Sequence, residues 1–279
     1  MAEIADLSAL VNRLTGGNSG TPEHLFFHKQ ERVNGALAAA TVAGRWTSLW
    51  RYEGQPAHGA VQGATGAAFD NTTNGGLKQA DPGGGRQKWL VGANLHSNVA
   101  GTIVLYDRLA ADGTFSGTTT TAQTVSFTPP SRYSSGVGNQ VWIEIQTAIG
   151  STATTATVNY TDQDGNTGVI SPTFSIGGAG LQEAERIIPV SLATGDTGVR
   201  NVADVDLVAS TGTAGDFAVI LAHPLVTIPV YGGGGTSRDL IFGDPGVIEI
   251  PTDACLAMAW IANGTTRPQI FGSLHMLEA

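Results

Sequence analysis

A single cysteine in 279 residues, Cys255, excludes any disulfide within the chain. Its neighbours Ala254, Leu256, Ala257 and Met258 are apolar, a setting in which a thiol behaves as a small buried hydrophobe. Charge is scarce too: 13% of the residues are Asp, Glu, Lys or Arg, and they sum to −9 at pH 7. No run of Lys or Arg occurs. The basic surface that displaces counterions from nucleic acid is therefore missing, and no nucleic-acid partner is expected. No segment approaches the roughly 20 apolar residues of a membrane span, so no membrane partner is expected either. The stretch MAEIADLSALVNRLTGG has neither the basic region nor the continuous apolar core of a signal peptide, which predicts synthesis in a cytoplasm without Sec-type export.

The motifs of catalysis are also lacking. No G-x-S-x-G elbow presents a nucleophile. The glycine runs at 83–85 and 232–235 lack the Lys-Ser/Thr of a phosphate loop and do not open a helix after a strand. His24 and His28 stand four apart but without the Glu of the zinc-protease motif, and His58, His96, His223 and His275 are scattered. Glu144, Asp162, Asp204, Asp206 and Asp244 are carboxylates that sequence alone cannot pair in space. Aromatic residues make up 7%, thin for a cleft that stacks sugars. The expectation is a protein that is not an enzyme, with no catalytic residue, no cofactor and no metal.

What is abundant is turn and strand chemistry. Glycine (38 residues) and plentiful threonine point to many strands joined by tight turns. From Gln87 onward the pattern has a period of two. Val141, Ile143 and Ile145 alternate with Trp142, Glu144 and Gln146, which predicts a half-buried strand. Ala156, Val158 and Tyr160 alternate likewise. The segments 217–221 and 256–261 are apolar on both faces, small residues set against large, as in central strands. Asp162, Asp164, Gly165 and Asn166 resemble a fragment of a cation loop, but an EF-hand needs Gly at its sixth position and Glu at its twelfth. We read Asp164-Gly165 as a two-residue hairpin turn that sets Tyr160 opposite Val169.

Before residue 86 the texture differs. Residues 2–14 predict an amphipathic helix: Ile4, Leu7, Leu10, Val11 and Leu14 share one face, acids occupy the first turn, and Gly16 and Gly17 end it. Trp46, Leu49, Trp50 and Tyr52 form an aromatic cluster. A glycine-rich stretch with little periodicity then runs to residue 85. The expected organisation is an N-terminal helix and arm over 1–60, a connector over 61–85 and a β body over 86–279. The fold class is all-β, a jelly-roll-like sandwich of about ten or eleven strands. The candidate interface residues are Ile4, Leu7, Leu10, Leu14, Trp46 and Trp50.

Four segments carry a resemblance: 74–90 (NGGLKQADPGGGRQKWL), 101–109 (GTIVLYDRL), 139–150 (NQVWIEIQTAIG) and 250–264 (IPTDACLAMAWIANG). In phrasing they are similar to virion structural proteins of tailed bacteriophages. The resemblance implies a virion component made in the bacterial host cytoplasm. Lacking the long spine helix of a major capsid protein, and being acidic and β-rich, the chain resembles a capsid decoration (cement) protein. Such proteins clip capsomers together on the shell exterior. The implied partners are the major capsid protein and neighbouring copies, in a homotrimer. The alternative is a tail, baseplate or fibre protein that binds a host-surface glycan.

Overall fold

The computed structural model describes Ser8 and residues 22–31, 41–83, 85–233, 235–239 and 248–278, with 235–239 described as backbone only. Apart from Ser8, the helix expected over 2–14, and with it Ile4, Leu7, Leu10 and Leu14, lies outside the described residues, as does Asp244. From Pro22 onward every described element is a strand, so the all-β class holds.

In chain order the strands are β1 (Pro22–Gln30), β2 (Trp46–Ser48), β3 (Glu53–Gln55), β4 (Ala67–Ala68), β5 (Lys88–Ser97) and β6 (Gly101–Phe115). There follow β7 (Gln123–Thr124), β8 (Gln140–Thr147), β9 (Thr154–Asp162), β10 (Val169–Ile170), β11 (Phe174–Ile176) and β12 (Arg186–Pro189). The last are β13 (Val199–Leu207), β14 (Asp216–Val230), β15 (Gly235–Asp239), β16 (Ile248–Ile250), β17 (Leu256–Ala262) and β18 (Ile270–Glu278).

The centre is a closed barrel. β14, β8, β12, β2, β17 and β6 pair in that order, all antiparallel, and β6 returns to β14. Closure leaves these strands no free edge at which to aggregate. A barrel this narrow must be filled by its own side chains. Trp142 is the main filler, set edge-on to Tyr106 at 4.6 Å and to Trp46 at 5.4 Å. Ala222, Ala257 and Ala259 make room for these rings. This is the reason for the small-against-large alternation in β17: Ala257 and Ala259 point into the barrel, while Leu256, Met258 and Trp260 point outward.

Two further sheets cover the barrel wall. Sheet 1 has the order β15-β5-β18-β1-β3, with β16 also on β5. Its inner residues Phe27, Leu90, Leu95, Ile270 and Leu274 pack on the outward side chains of β6 and β17. Sheet 2 has the order β10-β9-β13-β7, with β11 on β9. Val158, Tyr160, Val202 and Val205 of sheet 2 pack on Val141, Ile143, Ile145 and Val219 of the barrel.

This architecture corrects the expected organisation. β1 is hydrogen-bonded along its length to β18 near the C-terminus, and β2 closes the barrel between β12 and β17. The part of the predicted arm from Pro22 on is thus built into the body. Residues 61–85 do not connect separate parts either. Phe69 is buried in the barrel-interior core and Leu77 in the core between the barrel and sheet 1, and Gln62 exchanges hydrogen bonds with Gln146 inside the barrel. Glycine serves close packing here. A Cβ on Gly59 would lie 2.1 Å from Trp50 Nε1, so only glycine lets the backbone cover that indole.

Candidate functional site

Most buried charge in this protein is committed to bracing. Arg108 Nη2 donates to Glu144 Oε2 at 2.8 Å inside the barrel. Arg132 grips Asp107 with two bonds, Nε to Oδ2 at 2.6 Å and Nη2 to Oδ1 at 2.9 Å, and also donates to the Phe69 carbonyl. Lys29 donates to the carbonyls of Tyr52 and Pro56, and burial lowers its pKa to about 8.

One place brings together residue types used in nucleophilic catalysis. Asp107 lies opposite His223 on β14, and its Oδ1 accepts the Cys255 backbone N–H at 2.9 Å. The chemistry is unfavourable. Burial pushes the Cys255 thiol up to about 12, so the thiolate nucleophile does not form near neutrality. Burial pulls His223 down to about 4, a weak base, and its ring lies flat on Tyr133 at 3.7 Å. This group locks strands together.

The aspartate-rich loop is a turn. Gly165 N–H donates to the Asp162 carbonyl and Asp162 N–H to the Asn166 carbonyl, so the loop residues are Gln163, Asp164 and Gly165. The predicted two-residue turn is therefore one residue too short. Among these residues only Gly165 has a left-handed φ, 91°, whereas the two-residue form needs two such residues. Gly168, at φ 76°, absorbs the extra residue, and Tyr160 faces Val169 as expected. The Asp162 carboxylate accepts from Asp164 N, Asn166 N and Asn166 Nδ2 at 2.7–2.9 Å. These bonds, that of the Asn166 side chain foremost, hold its pKa below the usual carboxylate range. The bracing is present above the unfolded-state pKa and is lost only as pH falls through the lower folded-state value. EDTA should leave the melting temperature unchanged; a fall restored by calcium would overturn the turn reading.

The exposed chemistry gathers on the outer face of sheet 1. β1 presents His24, Phe26 and His28, β18 presents Phe271 and His275, and β5 presents Asn94 and His96. Register aligns them: His24 is opposite His275, His28 is opposite both Phe271 and Gln55, and His96 is opposite Phe271. His24 meets His275 edge-on at 4.9 Å, and His28 stacks over Phe271 at 6.4 Å. His275 Nε2 is within hydrogen-bond reach of Ser273 Oγ at 3.0 Å and Asn94 Nδ2 at 3.2 Å. Phe26 is 73% exposed and Phe271 50%. Between them the face dips into an open depression of about 650 Å³, whose lining among the described residues includes His28, Gln55, Asn94, His96 and Ser273 and no Asp, Glu, Lys or Arg. Glu53 stands at the margin, opposite Gln30. Four of the six histidines thus share one surface. The sequence signal was the alternate spacing of 24/26/28, 94/96 and 271/273/275.

Of the interface candidates within the described residues, neither lies on this face. Trp46 is half-buried at the barrel wall against Trp142. Trp50 is 2% exposed, its Nε1 donating to the Ala60 carbonyl at 3.1 Å, which makes it a core residue rather than a docking residue. The aromatic cluster reflects core packing: Trp46 and Trp50 join the barrel-interior core, while Leu49 and Tyr52 join the core beneath sheet 1. The carboxylates Glu144, Asp162, Asp204 and Asp206 are not brought together. Glu144 is inside the barrel and Asp162 caps its loop, while Asp204 and Asp206 lie on the outer side of sheet 2.

No protein-family model matches this chain, and no curated protein or solved structure matches it.

Proposed function

We propose that this chain is a non-enzymatic virion structural protein of a tailed bacteriophage, a decoration or cement protein on the capsid exterior. The observation that supports it is the contrast between the two outer faces. Sheet 2 turns Thr155, Thr157, Asn159, Thr161, Asp204 and Asp206 outward, a mostly polar, acidic surface suited to water, with Ile170 as an exposed apolar exception. Sheet 1, on the other side of the barrel, turns outward the aromatic and imidazole face built from Phe26, Phe271, His24, His28 and His96. Exposed apolar patches of this kind mark interaction sites. A protein that clips a shell needs one wettable side and one adhesive side.

In this reading the body is a variation on the jelly-roll-like sandwich, with the barrel as the shared wall of two sandwich layers. Its partners are the major capsid protein and neighbouring copies of itself in a homotrimer. A tail or baseplate protein binding a host-surface glycan is the second reading, favoured by the amides of Asn94 and Gln55 beside Phe26 and Phe271. Quantitative mass spectrometry of purified virions separates the two: hundreds of copies per particle are expected, and a handful would transfer the protein to the tail. Particles lacking the protein should also burst at lower temperature.

A further inference from the structure

We propose that Asn263 and Gly264 form a self-modifying site, where the folded protein converts its own asparagine to aspartate and isoaspartate, and that the fold shuts off the chemically identical pair Asn74 and Gly75. The inference does not depend on the virion reading. The reaction needs only water. The Gly264 backbone nitrogen attacks Cγ of Asn263, a bond forms between them, and the Cγ–Nδ2 bond breaks. Nδ2 leaves as ammonia, taking the proton that Gly264 gives up. Water then opens the cyclic imide at either carbonyl. One opening gives aspartate; the other gives isoaspartate, with an extra methylene in the main chain. In sum, water is consumed and ammonia released.

Attack requires a backbone nitrogen free of hydrogen bonds, room around it and a carboxamide free to turn. Asn263 and Gly264 are both exposed, in the bend that leads from β17 towards β18. Among the described residues, neither the Gly264 N–H nor the Asn263 side chain makes a hydrogen bond. A Cβ on Gly264 would meet nothing within 4 Å. The chain is held on either side of the reacting atoms. Thr41 Oγ1 donates to the carbonyls of Gly264 at 2.9 Å and Thr266 at 3.0 Å, and Ala262 N–H donates to the Arg45 carbonyl at 3.2 Å.

The same dipeptide at residue 74 is closed. Gly75 is buried, its N–H donates to the Ala57 carbonyl at 3.0 Å, and a Cβ there would lie 2.7 Å from the Trp50 ring. Attack on Asn74 must first break that bond beneath the indole, which slows it roughly tenfold to a hundredfold. The side chains of Asn71, Asn139, Asn159 and Asn166 are each committed to a hydrogen bond, and none of these residues precedes a glycine. Asn34 and Gly35 lie outside the described residues.

The test is to hold the full chain at mildly alkaline pH and follow each asparagine by peptide mapping with mass spectrometry. In the folded chain Asn263 should convert at least about tenfold faster than Asn74, whereas in concentrated urea the two should convert at equal rates. Hydroxylamine, which traps the cyclic imide, should label the folded chain at Asn263 and not at Asn74. Gly264→Ala should melt like the wild type, because its φ is not left-handed and the space is empty, while the added methyl hinders attack and slows conversion of Asn263. An Asn263 that converts no faster than Asn74 in the folded chain overturns the proposal. So does hydroxylamine labelling at both sites or at neither, or a Gly264→Ala chain that converts as fast as the wild type.

Discussion

A chain beginning at residue 61 is expected to lose cooperative unfolding altogether. The change in sequence texture near residue 86 invites the opposite expectation, an independent body that survives loss of its first part. The pairings decide against it. Removing β2 opens the barrel between β12 and β17, and removing β1 strips β18 of the partner that lines it from Lys29 to Pro22. The same cut deletes Phe27, Leu49, Trp50 and Tyr52, all at most 4% exposed. At about 1.5–3 kcal/mol for each buried side chain, those four remove roughly 6–12 kcal/mol. That equals the whole net stability of an ordinary domain, about 5–15 kcal/mol. Circular dichroism against urea should show a shallow, non-sigmoidal change, and a sharp transition with native strand signal would prove the first 60 residues dispensable.

Strands that bury one face on a sheet neighbour were legible. β9 alternates as read, and Tyr160 faces Val169 as read, although the turn holds three residues and the register is restored only at Gly168. The barrel was not legible, for a specific reason. Glu144 and Gln146 alternate with Val141, Ile143 and Ile145, and that pattern ordinarily means a solvated face. Here the polar side chains point into the barrel, where Arg108 and Gln62 meet them, and β8 is buried on both sides. Period two reports which residues share a face but not whether that face is wet. Closure itself depends on β2, a strand of three residues too short for any periodic signal.

The histidine-bearing face of sheet 1 was hidden differently. β1 places Phe26 outward and Phe27 inward, so two adjacent aromatics blur the alternation that would have revealed the strand. Its histidines appear isolated along the chain because the strands that align them, β1 (Pro22–Gln30), β5 (Lys88–Ser97) and β18 (Ile270–Glu278), are far apart in the sequence. The segment 56–85 shows a third limit. It packs through single anchors such as Phe69 and Leu77 between turns, and anchors without a repeat leave no period to detect.

Glu144→Ala is expected to destabilise the protein by about 3–5 kcal/mol, the cost of leaving a buried charge without its partner. Arg108 and Glu144 are 1% and 2% exposed, so water cannot replace the lost bond. Burial alone would lower the Arg108 pKa, yet the adjacent Glu144 carboxylate outweighs it and the guanidinium is held charged. The arginine is also fixed from its faces, 4.5 Å from the Trp50 ring and 5.2 Å from Phe69, which ties β6 and β8 to the segment that covers Trp50. It therefore cannot swing to solvent when Glu144 is removed. In a chain of this size each kcal/mol lowers the melting temperature by about 2–4 °C, which gives a fall of roughly 6–20 °C. The paired replacement Arg108→Met with Glu144→Leu separates the charge from the packing. It removes both ions and keeps most of the volume, so it should recover most of the loss, because an apolar pair avoids the desolvation that the ion pair must offset. Urea unfolding of the single and double variants measures both terms. A single variant within about 1 kcal/mol of wild type would show that water reaches the barrel interior. A double variant as unstable as the single would show that the ion pair, rather than the filled volume, holds the barrel closed.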